Sequence, residues 1–92
     1  MFKACNASNY EMISFLIENK FDPNAERLGE FPLVIAIKKH DLHMMEILID
    51  GGANPSKRYT GNREPLYFAY KEKNIQAMKY LLQKGASANE GA

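Results

Sequence analysis

The 92-residue sequence has no tryptophan, a single cysteine and almost no net charge. One cysteine, Cys5, cannot form an internal disulfide, so we expect the protein to fold in a reducing compartment. With 12 Lys and Arg against 11 Asp and Glu, the net charge of +1 does not favour a nucleic-acid-binding or membrane-surface protein. No apolar run approaches the length that is needed to span a bilayer.

The first residues, Met1 to Asn6, contain no long apolar segment of the kind found in secretory signal peptides. Apolar residues make up 46% of the chain, which is ordinary for a folded soluble domain. The length allows one small domain, residues 1–92, and no second core. We therefore expect a cytoplasmic, intracellular protein that contacts neither a membrane nor a nucleic acid.

What the sequence does contain is a pattern that returns after 33 residues without insertion. The recurring pairs are Pro32 and Pro65, Ala36 and Ala69, Leu48 and Leu81, and Gly52 and Gly85. A third copy, offset by 32 residues, places Ala4 on Ala36 and Leu16 on Leu48. A period of this size indicates stacked supersecondary units rather than one globular core.

The repeated residues resemble the ankyrin repeat, whose period is 33. Pro-Leu opens the first helix, Ala follows three residues after that Leu, and Leu-(Leu/Ile)-x-x-Gly-Ala closes the second helix. The resemblance covers two full copies and most of a third, and it implies an all-α solenoid of about three helix-turn-helix units joined by hairpin-like links. The tetratricopeptide repeat has a similar period, but its first helix carries a Trp that this chain lacks.

The resemblance divides the chain into units of about 1–28, 29–61 and 62–92. First helices are expected near 2–7, 32–39 and 65–72, and second helices near 10–19, 42–50 and 75–83. Met1 aligns with Leu33 and Leu66, so the first unit lacks its leading hairpin arm, and we expect the chain to be a piece of a longer array. An array this short is expected to expose apolar surface at its ends, through which it could self-associate.

Several positions depart from the family pattern. Phe31 and Glu64 replace the Thr that caps the first helix, which predicts frayed or alternatively capped helix starts. Lys20 stands where Gly52 stands in the next unit, so a residue with a side chain must end the second helix in a left-handed conformation. The family's glycine at the end of the first helix is also replaced in every unit, by Ser8, His40 and Lys73.

No residue set with catalytic or cofactor-binding spacing is present, so we predict no enzyme activity and no cofactor. His40 and His43 could hold a metal, but no further ligand completes a site, and solvent-facing turn residues are the simpler interpretation. Cys5 aligns with Ile37, which favours a small buried thiol over a nucleophile. The basic cluster that contains Lys57 and Arg58 is interpreted as a solvated face rather than a nucleic-acid site.

In proteins that resemble this family, the hairpin tips and the concave face of the first helices hold partner proteins. Carried over by position, the tips correspond to Arg27, Leu28 and Glu30, and to Thr60 and Arg63. The exposed ends of the first helices correspond to Asn6 and Ala7, Lys38 and Lys39, and Lys71 and Glu72.

One position of the first helices is held by Lys3, Ile35 and Phe68, and the two apolar residues predict a contact patch on this face. The alternative is that Ile35 and Phe68 pack against the hairpin links. Basic residues outnumber acidic ones around them, which favours an acidic partner segment. The sequence thus predicts a protein-binding scaffold; the alternative is a regulatory or targeting segment of a larger enzyme or membrane protein.

Overall fold

A computed structural model describes residues 2–27, 29–58 and 63–85 of the chain. These residues contain six α-helices: α1 (Phe2–Asn6), α2 (Tyr10–Glu18), α3 (Pro32–Lys38), α4 (Leu42–Asp50), α5 (Pro65–Lys71) and α6 (Ile75–Gln83). The three predicted helix pairs are confirmed, each end within one residue of its expected position. The fold is all-α. The predicted unit boundaries stay predictions, since Leu28 and residues 59–62 lie outside the described residues.

The second helices begin at a capping residue that the sequence supplies in every unit. A side-chain oxygen of the cap accepts a hydrogen bond of 3.1 Å from a backbone N–H in the first turn of the helix. The cap and donor pairs are Asn9 and Met12, Asp41 and Met44, and Asn74 and Ala77. Each of these bonds satisfies an N–H that has no partner within the helix.

The first helices α3 and α5 begin without such a cap. Pro32 and Pro65 occupy the first turn, and the residues before them, Phe31 and Glu64, make no side-chain capping bond. Neither an alternative side-chain cap nor a delayed helix start is seen in these two described helices, because both begin at the proline without a capping bond. Proline is nevertheless suited to this position, because it has no N–H to leave unsatisfied and its φ is already helical.

Each helix pair turns through residues with positive φ. At the ends of the first helices the φ values are 53° at Ser8, 53° at His40 and 56° at Lys73. At the ends of the second helices they are 70° at Lys20, 111° at Gly52 and 104° at Gly85. The predicted left-handed end at Lys20 is confirmed, and the left-handed ends that have a side chain carry strain that glycine would avoid.

The helix pairs stack side by side, with α3 between α1 and α5, and α4 between α2 and α6. Leu48 and Leu81 are fully buried in the continuous core. Polar contacts join neighbouring pairs: the Tyr10 hydroxyl donates to Asp41 Oδ2 at 2.6 Å, and Asn74 Nδ2 donates to the Ile37 carbonyl at 3.1 Å. Both Asp41 and Asn74 are helix caps, so one side chain caps its own helix and also contacts the previous unit.

The segments that leave the second helices are joined as well. Asn24 Nδ2 donates to the Gly52 carbonyl at 3.0 Å, and Asn24 Oδ1 accepts from the Asn54 N–H at 2.7 Å. Lys57 Nζ donates to the Asn24 carbonyl at 3.1 Å. Asn24 therefore fixes the first link against the second.

None of the helices within the described ranges is both long enough and apolar enough to cross a membrane.

Candidate functional site

The first hairpin tip forms as the sequence predicts. The Arg27 N–H donates to the Glu30 carbonyl at 2.7 Å, and the Glu30 N–H donates to the Arg27 carbonyl at 2.9 Å. Gly29 lies between them with φ of 81°, which suits a residue without a Cβ. Arg27 and Glu30 are both exposed at this tip. The other predicted tip residues, Leu28 and Thr60, lie outside the described residues.

Basic side chains are exposed along the first helices. Lys3, Lys38 and Lys71 are exposed, whereas Glu72, at the end of α5, is half-buried. Lys39 is exposed but not free, because its Nζ donates to the Asn6 carbonyl at 2.6 Å. Asn6 ends α1, so the ammonium group lies at the negative end of that helix, where a cation is stabilised.

The expectation that Ile35 presents apolar surface to a partner is wrong. Its side chain is only 3% exposed and belongs to the core. The physical reason is its place in the stack: α3 is packed against α1 on one side and α5 on the other. The aligned Lys3 is on α1, which has another first helix on one side only, and it remains exposed.

Phe68 is half-buried and follows the alternative interpretation. Its ring packs edge to face on Phe31, with 5.6 Å between ring centroids, and on Tyr67, with 5.4 Å. Phe31 is fully buried and lies where the first link enters α3. Phe68 therefore stabilises the stack, and a truncation there would reduce folding stability as well as any effect on binding.

Arg63 and Lys71, which the sequence predicts as partner-binding residues, form a cluster with Tyr67, a residue that was not predicted from the sequence. The Arg63 guanidinium carbon lies 4.1 Å from the centroid of the Tyr67 ring, and Lys71 Nζ lies 6.0 Å from the same centroid. Tyr67 is half-buried, while Arg63 and Lys71 are exposed. The four-residue spacing of Tyr67 and Lys71 was the available signal, because residues four apart share one face of a helix. Arg63 precedes α5, and only the structure shows that its guanidinium lies over the ring.

Glu64 is a second residue whose role only the structure reveals. It is 7% exposed, and its Oε2 lies 3.8 Å from a guanidinium nitrogen of Arg58. Lys57 donates to the Asn24 carbonyl, as described above. The basic cluster at 57–58 is therefore not a freely solvated face, because both of its basic side chains hold the links together.

Cys5 and His40 are placed as their structural interpretations predict, whereas His43 lies in α4 and not in the turn. Cys5 is fully buried, and this burial raises the pKa of its thiol to about 11, so the thiol stays protonated at neutral pH. His40 is exposed at the turn before α4. The His43 ring packs edge to face on Tyr10, and its Nδ1 lies 3.8 Å from Glu46. Within the described ranges, no three His, Cys, Asp or Glu residues are grouped to hold a metal ion.

The chain is similar to two proteins that are much longer than it is. It is 32% identical to alpha-latrocrustotoxin-Lt1a of Latrodectus tredecimguttatus over 89 residues, which are 94% of this chain and 6% of the toxin. It is also 32% identical over 62 residues to a protein of Acanthamoeba polyphaga mimivirus that is named as an ankyrin repeat protein, L371. That match covers 64% of this chain and 8% of the viral protein. The chain therefore spans less than a tenth of the length of either relative.

A family model supplies the broader match. The model for ankyrin repeats in three copies matches residues 1–91. This match spans the three helix pairs and their links, and it agrees with the family resemblance of the repeated residues. The chain therefore belongs to the ankyrin repeat family.

Proposed function

We propose that the protein is a non-enzymatic scaffold that binds an acidic segment of another intracellular protein through its hairpin links and the exposed ends of its first helices. Ankyrin repeats generally mediate protein–protein interaction and are not enzymes. The part that goes beyond the family is the chemistry of the partner, and it rests on the charged surface of α5.

The observation that carries this proposal is the cluster of Arg63, Tyr67 and Lys71. Both cationic groups lie within 6.0 Å of one aromatic centroid, so a ligand beside this ring meets two positive charges at once. The Arg guanidinium can donate two hydrogen bonds to a carboxylate in bidentate geometry, and the part of the ring that the guanidinium leaves uncovered offers an apolar contact to the neighbouring aliphatic carbons. An Asp or Glu side chain followed by an apolar residue fits this combination.

The positive surface continues from α5 onto α3. Lys38 occupies the position in α3 that Lys71 occupies in α5, and these two helices pack side by side. Both side chains are exposed. An extended acidic segment that crosses the stacked helices would therefore meet cations from consecutive units, which increases the rate of encounter and fixes the direction of binding.

A peptide selection tests the proposal directly. A displayed library of random peptides is selected against the full chain, and the bound peptides should be enriched in Asp and Glu. Fluorescence anisotropy with one selected peptide should then show binding about tenfold or more weaker for Arg63→Gln combined with Lys71→Gln, because both cations of the cluster are removed. Affinity of the parent should fall with added salt.

The matched control removes two positive charges elsewhere. Lys20 and Lys84 lie at the ends of α2 and α6, so Lys20→Gln combined with Lys84→Gln changes net charge equally without touching the first helices. Binding by this control should stay within about twofold of the parent. Selection of peptides with no acidic enrichment, or equal losses in both double variants, would contradict the proposal.

The intracellular part of the proposal is supported by the state of Cys5. The thiol is buried and needs no oxidising compartment to pair it. Fluorescence imaging of a tagged chain in its native cells should show signal in the cytosol or nucleus. Signal confined to secretory compartments would exclude an intracellular partner.

A further inference from the structure

Each end of the stack exposes apolar side chains. The surface that we call the leading face lies on α2 and contains Met12 and Phe15, with the acidic Glu11 and Glu18 beside them. Phe15 is 56% exposed, although Ile47, its aligned residue in the middle unit, is half-buried. Ala77, which aligns with Met12 in the last unit, is fully buried. The leading face borders an open groove of about 780 Å³ that Asn9 and Ser14 also line.

The opposite surface, the trailing face, consists of Tyr70, Ile75, Leu82 and the basic Lys79. Tyr70 is 71% exposed and Ile75 is 64% exposed. Their aligned residues in the middle unit, Ile37 and Leu42, are fully buried and half-buried because another unit covers them. The trailing face is therefore an interface surface of the repeat that no described residue covers.

The contact between the first two units shows how the surface that corresponds to the trailing face packs on the next unit. Ile17, on the rear side of α2, packs on the start of the next link: a Cβ at Gly51 would lie 2.7 Å from Ile17 Cγ2. A groove of about 300 Å³ runs along this contact, lined by Ser14, Ile17 and Glu18 of α2 and by Ile47, Asp50 and Gly51 of α4. Ser14 and Asp50 thus face the same groove from opposite units.

We propose that the protein self-associates head to tail, with the trailing face of one copy stacked on the leading face of the next in the register of the internal contacts. In that register Leu82 of one copy takes the place of Ile17. It contacts Phe15 of the next copy, which takes the place of Ile47. Lys79 takes the place of Ser14, and Glu18 of the next copy takes the place of Asp50. The basic trailing face therefore meets the acidic leading face, with an ion pair where the internal contact has a serine.

The side chain of Asn19 is the one that could obstruct this contact, and a contact within the chain shows that it does not. Asn19 takes the place of Gly51, whose Cα has no space for a Cβ beside Ile17. The contact between the second and third units already has Lys84 at this position opposite Ile49, and the two units stack there. A side chain at Asn19 is therefore compatible with the register.

The two faces differ, so the contact is heterologous and each added copy leaves one free face of each kind. Such a contact gives an open series of oligomers instead of a closed dimer. The residues changed to test self-association on the trailing face, Ile75 and Lys79, lie on α6, whereas Tyr67 and Lys71 lie on α5, so self-association and partner binding can fail independently.

Sedimentation velocity of the full chain measures the inference. As the protein concentration is raised to roughly 1 mM, the average molecular mass should increase, and species larger than a dimer should form. Ile75→Glu, which places a charge in the apolar part of the trailing face, should raise the apparent Kd by about tenfold or more. Gln76→Glu adds the same charge at the adjacent exposed residue and should leave the Kd within about twofold. Circular dichroism melts confirm that both variants are folded.

Charge reversal tests the register itself. Lys79→Glu and Glu18→Lys should each weaken self-association, because each places like charges across the contact. The double variant restores an opposite pair and should recover the Kd of the parent to within about threefold. A chain that stays monomeric throughout, a closed dimer, or a double variant no better than the singles would overturn the proposal.

Discussion

The middle helix pair and the outer pairs carry the same sequence pattern but bury very different fractions of it. In α3, every residue from 32 to 37 is buried, whereas only Pro65 and Ala69 are buried in α5 and only Ala4 and Cys5 in α1. The second helices show the same trend, since Met44 is fully buried and the aligned Met12 is 45% exposed.

The number of neighbours explains this difference. A helix in the middle of the stack is covered on two sides, so apolar residues on both sides leave water. A helix in an outer pair has a neighbour on one side only. Repeat position alone therefore predicts which way a side chain points, while the stack decides whether water reaches it.

The largest expected difference in folding stability is between truncations of two aligned methionines, Met44 and Met12. Met44→Ala should lower the free energy of unfolding by about 2–5 kcal/mol, because it leaves a cavity between packed helices. Met12→Ala, at the same repeat position on the leading face, should change stability by less than about 0.5 kcal/mol. Urea unfolding of dilute protein, followed by circular dichroism, measures both. Equal losses would mean that burial by neighbours is not what separates the middle unit from the outer ones.

A smaller effect is expected at the start of α5. From the sequence, Glu64→Thr should stabilise the helix by adding the family's cap, a gain of about 0.5–2 kcal/mol. The structure reverses this expectation, because the change removes a buried carboxylate from beside Arg58. We expect a net loss of about 1 kcal/mol in urea unfolding.

A matched variant isolates the charge at this position. Glu64→Gln keeps the shape of the side chain and removes its charge, so its stability should fall by a similar amount. If the Gln variant is as stable as the parent, the Arg58 pair contributes nothing. A stabilised Thr variant would show that the missing cap outweighs the pair.

The smallest effect concerns the end of α2. Lys20→Gly should raise the unfolding free energy by at most about 1 kcal/mol, because glycine adopts the left-handed conformation without steric cost. Lys20→Ala keeps the Cβ and should give no such gain. The thermal midpoints of the two variants, compared by circular dichroism, test whether the first unit is strained where the middle unit, with Gly52, is not.

The helices and their ends could be predicted because short-range signals set them. Asn9, Asp41 and Asn74 mark the starts of the second helices, and Lys20 was expected to adopt a positive φ because it aligns with Gly52. The residues of the candidate site were harder to predict from the sequence. Arg27 and Glu30 form the expected tip, but the burial of Ile35 depends on α1 and α5 together.

The sequence by itself determined the repeat, the helix pairs and the family, because period, proline position and capping residues act within one unit. Tertiary structure decided which of the repeated positions are exposed to solvent. It buried Ile35 between two helices, packed Phe68 on Phe31, and placed Glu64 beside Arg58. These outcomes depend on contacts between units, and the energy of such contacts comes from surfaces that meet only once the units have stacked.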